Sequence, residues 1–96
     1  MKREELLLLK IVKEGETLDF SSAKRLADEL ASSTISEPMV IAWYDGIKGE
    51  EHPQVKECQH KPGWLAYAEG HDGRLRIDVN ENQYSFIYTG IDEPEE

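Results

Sequence analysis

The sequence predicts an α+β domain, with one or two N-terminal helices packed on one face of a mostly antiparallel sheet of about four strands. Apolar residues recur with a helical period in the first third of the chain and with a period of two from Pro38 onward. Only short turns separate the last three expected strands, and short turns join antiparallel neighbours. The 96 residues suffice for one core, so we assign residues 1–90 to a single domain and residues 91–96 to an acidic, disordered tail.

The first apolar run, Leu6 to Val12, fits either a helix or a buried strand. Glutamates at the start of the segment from Glu4 to Glu14, Lys13 near its end and Gly15 after it favour a helix that ends in a left-handed residue. A short apolar run fits a buried strand as well, because periodicity does not separate the two. We favour the helix and leave the strand open.

The segment from Phe20 to Ser32 is the clearest helix. Its apolar residues fall on one stripe, and charged residues occupy the opposite side. Asp19 or Ser21 is expected to cap the first turn by accepting a hydrogen bond from a backbone N–H. The members of the stripe are Ala23, Leu26, Ala27, Leu30 and Ala31.

Four strands are expected after Pro38. The first, an unbroken apolar run from Met39 to Tyr44, is typical of an interior strand covered on both faces, and we expect it at the centre of the sheet. The others are Trp64 to Glu69, Leu75 to Val79 with one solvated face, and Tyr84 to Tyr88. Alternation divides the first strand into two sets, which are Met39, Ile41 and Trp43 on one face and Val40, Ala42 and Tyr44 on the other.

The two apolar faces of residues 39–44 both need cover. Helices on one side of the sheet leave the second face of this strand open to water. We expect the segment 46–63 to fold over that face, with a homodimer as the alternative.

Charge and cysteine content indicate the partners and the compartment. The net charge of −9 opposes binding to phosphate, so we expect no nucleic acid, whereas a basic protein is a partner that the acidic tail would attract. The run from Leu6 to Val12 is far shorter than the roughly 20 residues of a membrane span, so no membrane is expected either. The lone Cys58 permits no intramolecular disulfide, which is ordinary in the cytoplasm, where we place the protein.

Four short motifs resemble a known family. They are Ile41-Ala42-Trp43-Tyr44-Asp45, Pro62-Gly63-Trp64, Asp78-Val79-Asn80 and Phe86-Ile87-Tyr88. The pattern resembles a small prokaryotic family known only as a domain of unknown function. The resemblance implies that the segment from Asp45 to Trp64 joins two fixed landmarks, and it brings no activity and no catalytic or binding residue.

The segment from Asp45 to Trp64 is the expected working surface. It holds the cysteine and two of the three histidines, and connections of this length are usually functional or disordered. We predict a non-enzymatic binding module, without cofactor or catalytic residue, that uses this segment and the adjoining sheet face. Its ligand-binding residues are expected to be Trp43, Asp45, His52, Cys58, His60 and Trp64.

A metal or enzyme site is the alternative. His52, Cys58 and His60 offer two imidazoles and a thiolate, with Asp45 as a fourth ligand, and tetrahedral zinc accepts such a donor set. The spacing lacks a complete pair of close ligands, so surface histidines and a small buried cysteine explain it as well. Cys58 with His60 as its base is a thiol-enzyme variant of this site. Asp45 is a candidate for general acid–base work, although a turn hydrogen bond also accounts for it.

Overall fold

The structure, a computed structural model, describes residues 6–13, 18–55, 62–81 and 83–91. Within these ranges the elements are β1 (Leu7–Ile11), α1 (Phe20–Ser32), β2 (Ser36–Asp45), β3 (Glu50–His52), α2 (Gly63–Gly70), β4 (Leu75–Val79) and β5 (Tyr84–Ile91). The strands form one sheet in the order β1-β4-β5-β2-β3. Among them the β1–β4 pair is parallel and the other three pairs are antiparallel. The predicted α+β class with a mostly antiparallel sheet is confirmed.

Helix α1 has the bounds that its apolar stripe predicts. Asp19 is the N-cap, and its Oδ1 accepts a hydrogen bond of 2.8 Å from the backbone N–H of Ser22. The alanines Ala23, Ala27 and Ala31 are fully buried against the sheet, where they join the larger of the two hydrophobic clusters found among the described residues. Small side chains on the buried stripe let the helix axis lie close to the strands.

Strand β1 corrects the helix favoured for the first apolar run. Residues Leu7 to Ile11 pair in parallel with β4 over five consecutive positions. Leu9 and Ile11 point to the α1 side and pack against the main cluster. Tertiary pairing therefore overrides the end signals that glutamate, lysine and glycine gave for a helix. Residues 14–17, which include Gly15, lie outside the described ranges.

Helix α2 corrects the strand expected at residues 64–69. Trp64 and Ala68, four residues apart, are both buried on the second face of the sheet, where they contact Ala42 and Ile87. This helical spacing prevailed over the period of two that was expected from Pro38 onward. The two helices therefore lie on opposite faces, not on one. Among the described residues, the cover that α2 gives the second face begins at Gly63, the last residue of the segment expected to provide it.

Strand β2 is neither central nor regular. The middle of the sheet is β5, and β2 lies between β5 and the short β3. Its register with β5 shifts between Val40 and Ala42. Val40 and Trp43 consequently share the α1 face, whereas the α2 side holds Ile41, Ala42 and Tyr44. The simple alternation expected for this strand is therefore wrong at Val40 and Ile41.

Strand β4 has the predicted bounds, but its polar side is not solvated. Leu75, Ile77 and Val79 are fully buried under α1 as expected. On the other side Asp78 is only 7% exposed, and its Oδ1 accepts hydrogen bonds from Arg76 Nε at 2.9 Å and Ser85 Oγ at 2.8 Å. Arg76, on the same side, lies over the Trp64 ring of α2, a tertiary contact that the sequence does not reveal.

Two further points concern the C-terminal residues and the helices. Residues 92–96, which make up most of the expected acidic tail, lie outside the described ranges. In the described part of the chain, neither helix has the length and apolar character that crossing a membrane requires.

Candidate functional site

A cleft of about 380 Å³ lies where α1 begins and β2 ends, on the α1 face of the sheet. It is bounded by the residues that lead into α1, by the turn after β2 and by the first residue of β5. The lining residues are Leu18, Asp19, Phe20, Ser21, Asp45, Ile47, Lys48 and Tyr84.

Asp45 holds the turn at the floor of this cleft. It is 3% exposed, and its Oδ1 accepts hydrogen bonds from the backbone N–H groups of Ile47 at 3.0 Å and Lys48 at 3.1 Å. Its backbone carbonyl accepts a third from Gly49 N at 2.8 Å, and Gly49 has the left-handed φ of 72° that favours glycine. The side chain therefore fixes the turn between β2 and β3, which is the structural role weighed for it from the sequence.

A row of three rings extends from the cleft along the sheet edge. The Phe20 ring packs edge-on against Trp43, with 4.8 Å between ring centroids, and Trp43 stacks on His52 at 5.9 Å. Trp43 is paired with His52 across the β2–β3 ladder, which brings the two rings to one face. Trp43 is partly exposed and His52 is exposed, so the outer end of the row is open to a ligand.

The base of the row is rigid. Phe20 also contacts the rings of Phe86 at 5.4 Å and Tyr84 at 6.1 Å. The hydroxyl of Tyr84 donates a hydrogen bond of 2.9 Å to the Leu18 carbonyl, which ties β5 to the residues before α1. Burial raises the pKa of Tyr84 above its ordinary value, with smaller contributions from the negative charges of Asp45 and Asp19. This phenol is therefore a neutral anchor at physiological pH.

Carboxylates outnumber bases around these rings. Asp45 pairs with Glu50 across the β2–β3 ladder, two positions from the Trp43–His52 pair and therefore on the same face. Asp19 lies at the cleft, and its hydrogen bond from the Ser22 backbone N–H lowers its pKa. Lys48 is the base among the cleft residues. We name Asp19, Phe20, Trp43, Asp45, Glu50 and His52 the aromatic–acidic surface.

The structure separates the two tryptophans predicted to act together. Trp64 lies on the α2 face, where its ring stacks on Tyr44 at 5.7 Å and lies under the guanidinium of Arg76 at 5.5 Å. Trp43 and Trp64 are thus on opposite sides of the sheet and do not form one aromatic wall. Trp43, Asp45 and His52 do converge on one face, as a ligand surface requires.

Cys58 and His60 lie outside the described residues, so the proposed ligand set is described only in part. Within the described ranges, no group of three or more His, Cys, Asp or Glu side chains is arranged to hold a metal ion. Asp45 and His52, the described members of that set, take part in a turn and a ring stack.

Three members of the surface, Asp19, Phe20 and Glu50, were not among the ligand-binding residues predicted from the sequence. Phe20 is the first residue of α1, and only tertiary packing brings it 4.8 Å from Trp43. Asp19 was recognised as a cap and not as part of a cleft. One signal was available, since Phe20 is the large apolar residue that precedes the alanine stripe by three positions and so shares its face.

Comparison with known proteins gives a family and a fold. A family model described as a domain of unknown function (DUF5619) matches residues 8–88. The crystal structure of a novel protein from Archeoglobus fulgidus DSM 4304 is similar, with a TM-score of 0.74, 26% sequence identity, and cover of 88% of this chain and 93% of that chain. A search of curated proteins gives no match. These likenesses bring no activity with them.

Proposed function

We propose that this chain, which belongs to a domain family of unknown function (DUF5619), binds an arginine-containing segment of a basic partner protein. Its own surface supports this role. The contact is the aromatic–acidic surface. The observation that supports this proposal is the open Trp43–His52 stack on the same sheet face as Asp45 and Glu50.

Arginine fits this surface better than other side chains do. A planar guanidinium stacks on aromatic rings and pairs with carboxylates at the same time. The exposed His52 ring offers the plane, and Glu50 and Asp19, both exposed, offer the charges. Lys48 opposes a cation, and so does Arg25, whose charge acts on Asp19, but three carboxylates outnumber these two bases, and the net charge of −9 attracts a basic chain from a distance.

The Phe20 contact makes the surface ready before binding. Trp43 is held by Phe20, which is itself packed on Phe86, so the stack loses little conformational freedom when a ligand arrives. A few exposed contacts of this kind sum to a weak interaction, with a dissociation constant of about 0.1–1 mM for a short peptide.

The test is an NMR titration of ¹⁵N-labelled protein with a ten-residue peptide of alternating arginine and serine. The two tryptophan indole N–H signals serve as internal reporters on opposite faces of the sheet. We expect the Trp43 signal to shift and saturate while the Trp64 signal stays in place. Added salt should weaken binding, because exposed charges carry part of it.

Charge variants sharpen the result. Glu50→Gln combined with His52→Ala should weaken binding about three- to tenfold, since both groups face the ligand and neither belongs to the core. Glu29→Gln is the matched control, because Glu29 is exposed on α1 about 14 Å along the axis from Phe20. Equal effects of the two changes, or an unmoved Trp43 signal at millimolar peptide, would reject the proposal.

A further inference from the structure

The sheet has two open edges among the described residues, and they differ. At one end β3 pairs with residues 43–45 of β2, so residues 37–42 of β2 have no strand beside them on that side among the described residues. That edge is interrupted by Pro38, by two register shifts and by Glu37, whose φ is 51°. Such devices prevent another strand from pairing there.

At the other end β1 has none of these interruptions. Its five residues pair with β4 without a register shift, and the strand contains no proline. The exposed apolar side chains there are Leu7 at 49% and Leu8 at 47%, with Val12 at 61% just beyond the strand. A regular apolar edge of this kind favours pairing with another strand.

The hydrogen bonds of β1 show which backbone groups face outward. Leu7 N donates to Arg74 O at 3.0 Å, and Ile11 O accepts from Asn80 N at 2.7 Å. In a parallel ladder alternate residues bond to the same neighbour, so residues 7, 9 and 11 use their N–H and C=O groups toward β4. The N–H and C=O groups of Leu8 and Lys10 therefore point away from the sheet.

We propose that a second copy of this chain pairs antiparallel along this edge, with the two-fold axis at Leu9. In this register Leu8 of one copy and Lys10 of the other exchange both backbone hydrogen bonds, and symmetry repeats the exchange. Leu7 lies opposite Ile11, and the two copies of Leu9 face each other. The strand complements itself, since each Lys10 meets a leucine and not another cation.

The size and charge of this contact set its strength. Five residues a side are far fewer than the roughly 20–30 of a stable interface, so the dimer is weak and forms at about 0.1 mM protein or above. Two copies at net charge −9 repel each other, and salt screens that repulsion. Dimerisation therefore strengthens with salt, whereas binding of the arginine peptide weakens. The two proposals can therefore be tested separately.

Sedimentation equilibrium from about 10 to about 500 µM, at low and high salt, tests the proposal, because this range brackets the concentration expected of so small an interface. Leu8→Pro removes an N–H that points outward and leaves the β1–β4 ladder complete, so it should weaken the dimer at least about tenfold. Leu8→Lys, which places a lysine opposite Lys10 of the second copy, should do the same. Met39→Lys changes an apolar residue that is more exposed than Leu8, at 62%, on the interrupted edge and should have no effect.

Mixing two variants tests the register and does not depend on Leu8→Pro being folded. In a mixed dimer, the carboxylate introduced by Lys10→Glu in one chain lies opposite the ammonium group introduced by Leu8→Lys in the other. The mixture should therefore dimerise more strongly than either Leu8→Lys or Lys10→Glu alone. A wild-type protein that stays monomeric at the highest concentration in high salt would overturn the proposal. So would a dimer that survives in both Leu8→Pro and Leu8→Lys.

Discussion

Removing the hydroxyl of Tyr88 tests how α1 is fastened to the sheet. Tyr88 is 2% exposed on the central strand, and its hydroxyl donates a hydrogen bond of 2.7 Å to Asp28 Oδ1 on α1. The other carboxylate oxygen of Asp28 pairs with Lys24 Nζ at 2.9 Å. Tyr88→Phe keeps the ring and deletes this bond between the helix and the sheet.

The magnitude follows from the charge and exposure of the acceptor. A hydrogen bond to a charged group contributes about 1.5–3 kcal/mol to stability. The Asp28 side chain is 45% exposed, so water replaces part of that contribution when the bond is lost. We expect Tyr88→Phe to lower the free energy of unfolding by about 1–2 kcal/mol, measured by urea denaturation.

The dependence of stability on pH gives an independent test of the Tyr88–Asp28 hydrogen bond. Burial, followed by the hydrogen bond and the charge of Asp28, raises the pKa of Tyr88 well above its ordinary value of 10.0. Above pH 10 the unfolded chain loses this proton and the folded chain keeps it, so the unfolded state binds fewer protons and stability falls as pH rises. One such group lowers the free energy of unfolding by about 1.4 kcal/mol per pH unit in this range. Tyr88→Phe should lack this contribution.

Tyr84→Phe is the matched control, because the Tyr84 hydroxyl donates to a neutral backbone carbonyl at 2.9 Å. It should cost about 0.5–1.5 kcal/mol, less than the charged bond. If Tyr88→Phe costs no more than Tyr84→Phe and leaves the alkaline slope unchanged, the reasoning about the Asp28 acceptor is refuted.

Three further predictions concern the turn, a close packing contact and the metal hypothesis. Asp45→Ala should lower the free energy of unfolding by about 1–3 kcal/mol, since two backbone N–H groups lose their acceptor. Asp45→Asn, which keeps an acceptor oxygen, should cost less, and equal losses in urea denaturation would contradict this account. Gly73→Ala should be destabilising in a thermal melt, because the new Cβ would lie 2.8 Å from the Ala68 carbonyl oxygen, and a neutral effect would show that the turn moves freely. The zinc hypothesis predicts near-stoichiometric metal by elemental analysis of protein purified without chelator, lost in Cys58→Ala, whereas metal-free protein would dismiss it.

Local signals were sufficient where one element carries its own periodicity. The alanine stripe of α1 lies within the helix, and its cap, Asp19, directly precedes it. The helix forms as these two local signals predict. The strand expected from Tyr84 to Tyr88 likewise forms, within β5. Both elements could be predicted from the sequence because each needs only an apolar surface to pack against, and not one particular segment.

Local signals failed where a distant partner decides the structure. The first apolar run is a strand because β4, far away in the chain, offers it a parallel edge. Residues 64–69 are helical because Trp64 and Ala68 both find room over Ala42 and Ile87. For short apolar segments the free energy of tertiary packing exceeds the difference in intrinsic propensity, so the sequence alone left their type open.

The candidate site shows the same division between local and distant determinants, and Phe20 explains why. Trp43, Asp45 and His52 belong to one hairpin, so strand pairing alone brings them to one face. The ring that orders them comes from α1, where Phe20 is the first residue on the face whose later members are alanines. Alanine brings the helix close to the sheet, and at its first turn the large Phe20 ring fills the space over β2 and β5. The packing that stabilises α1 and the packing that positions the Trp43–His52 stack are therefore the same contact.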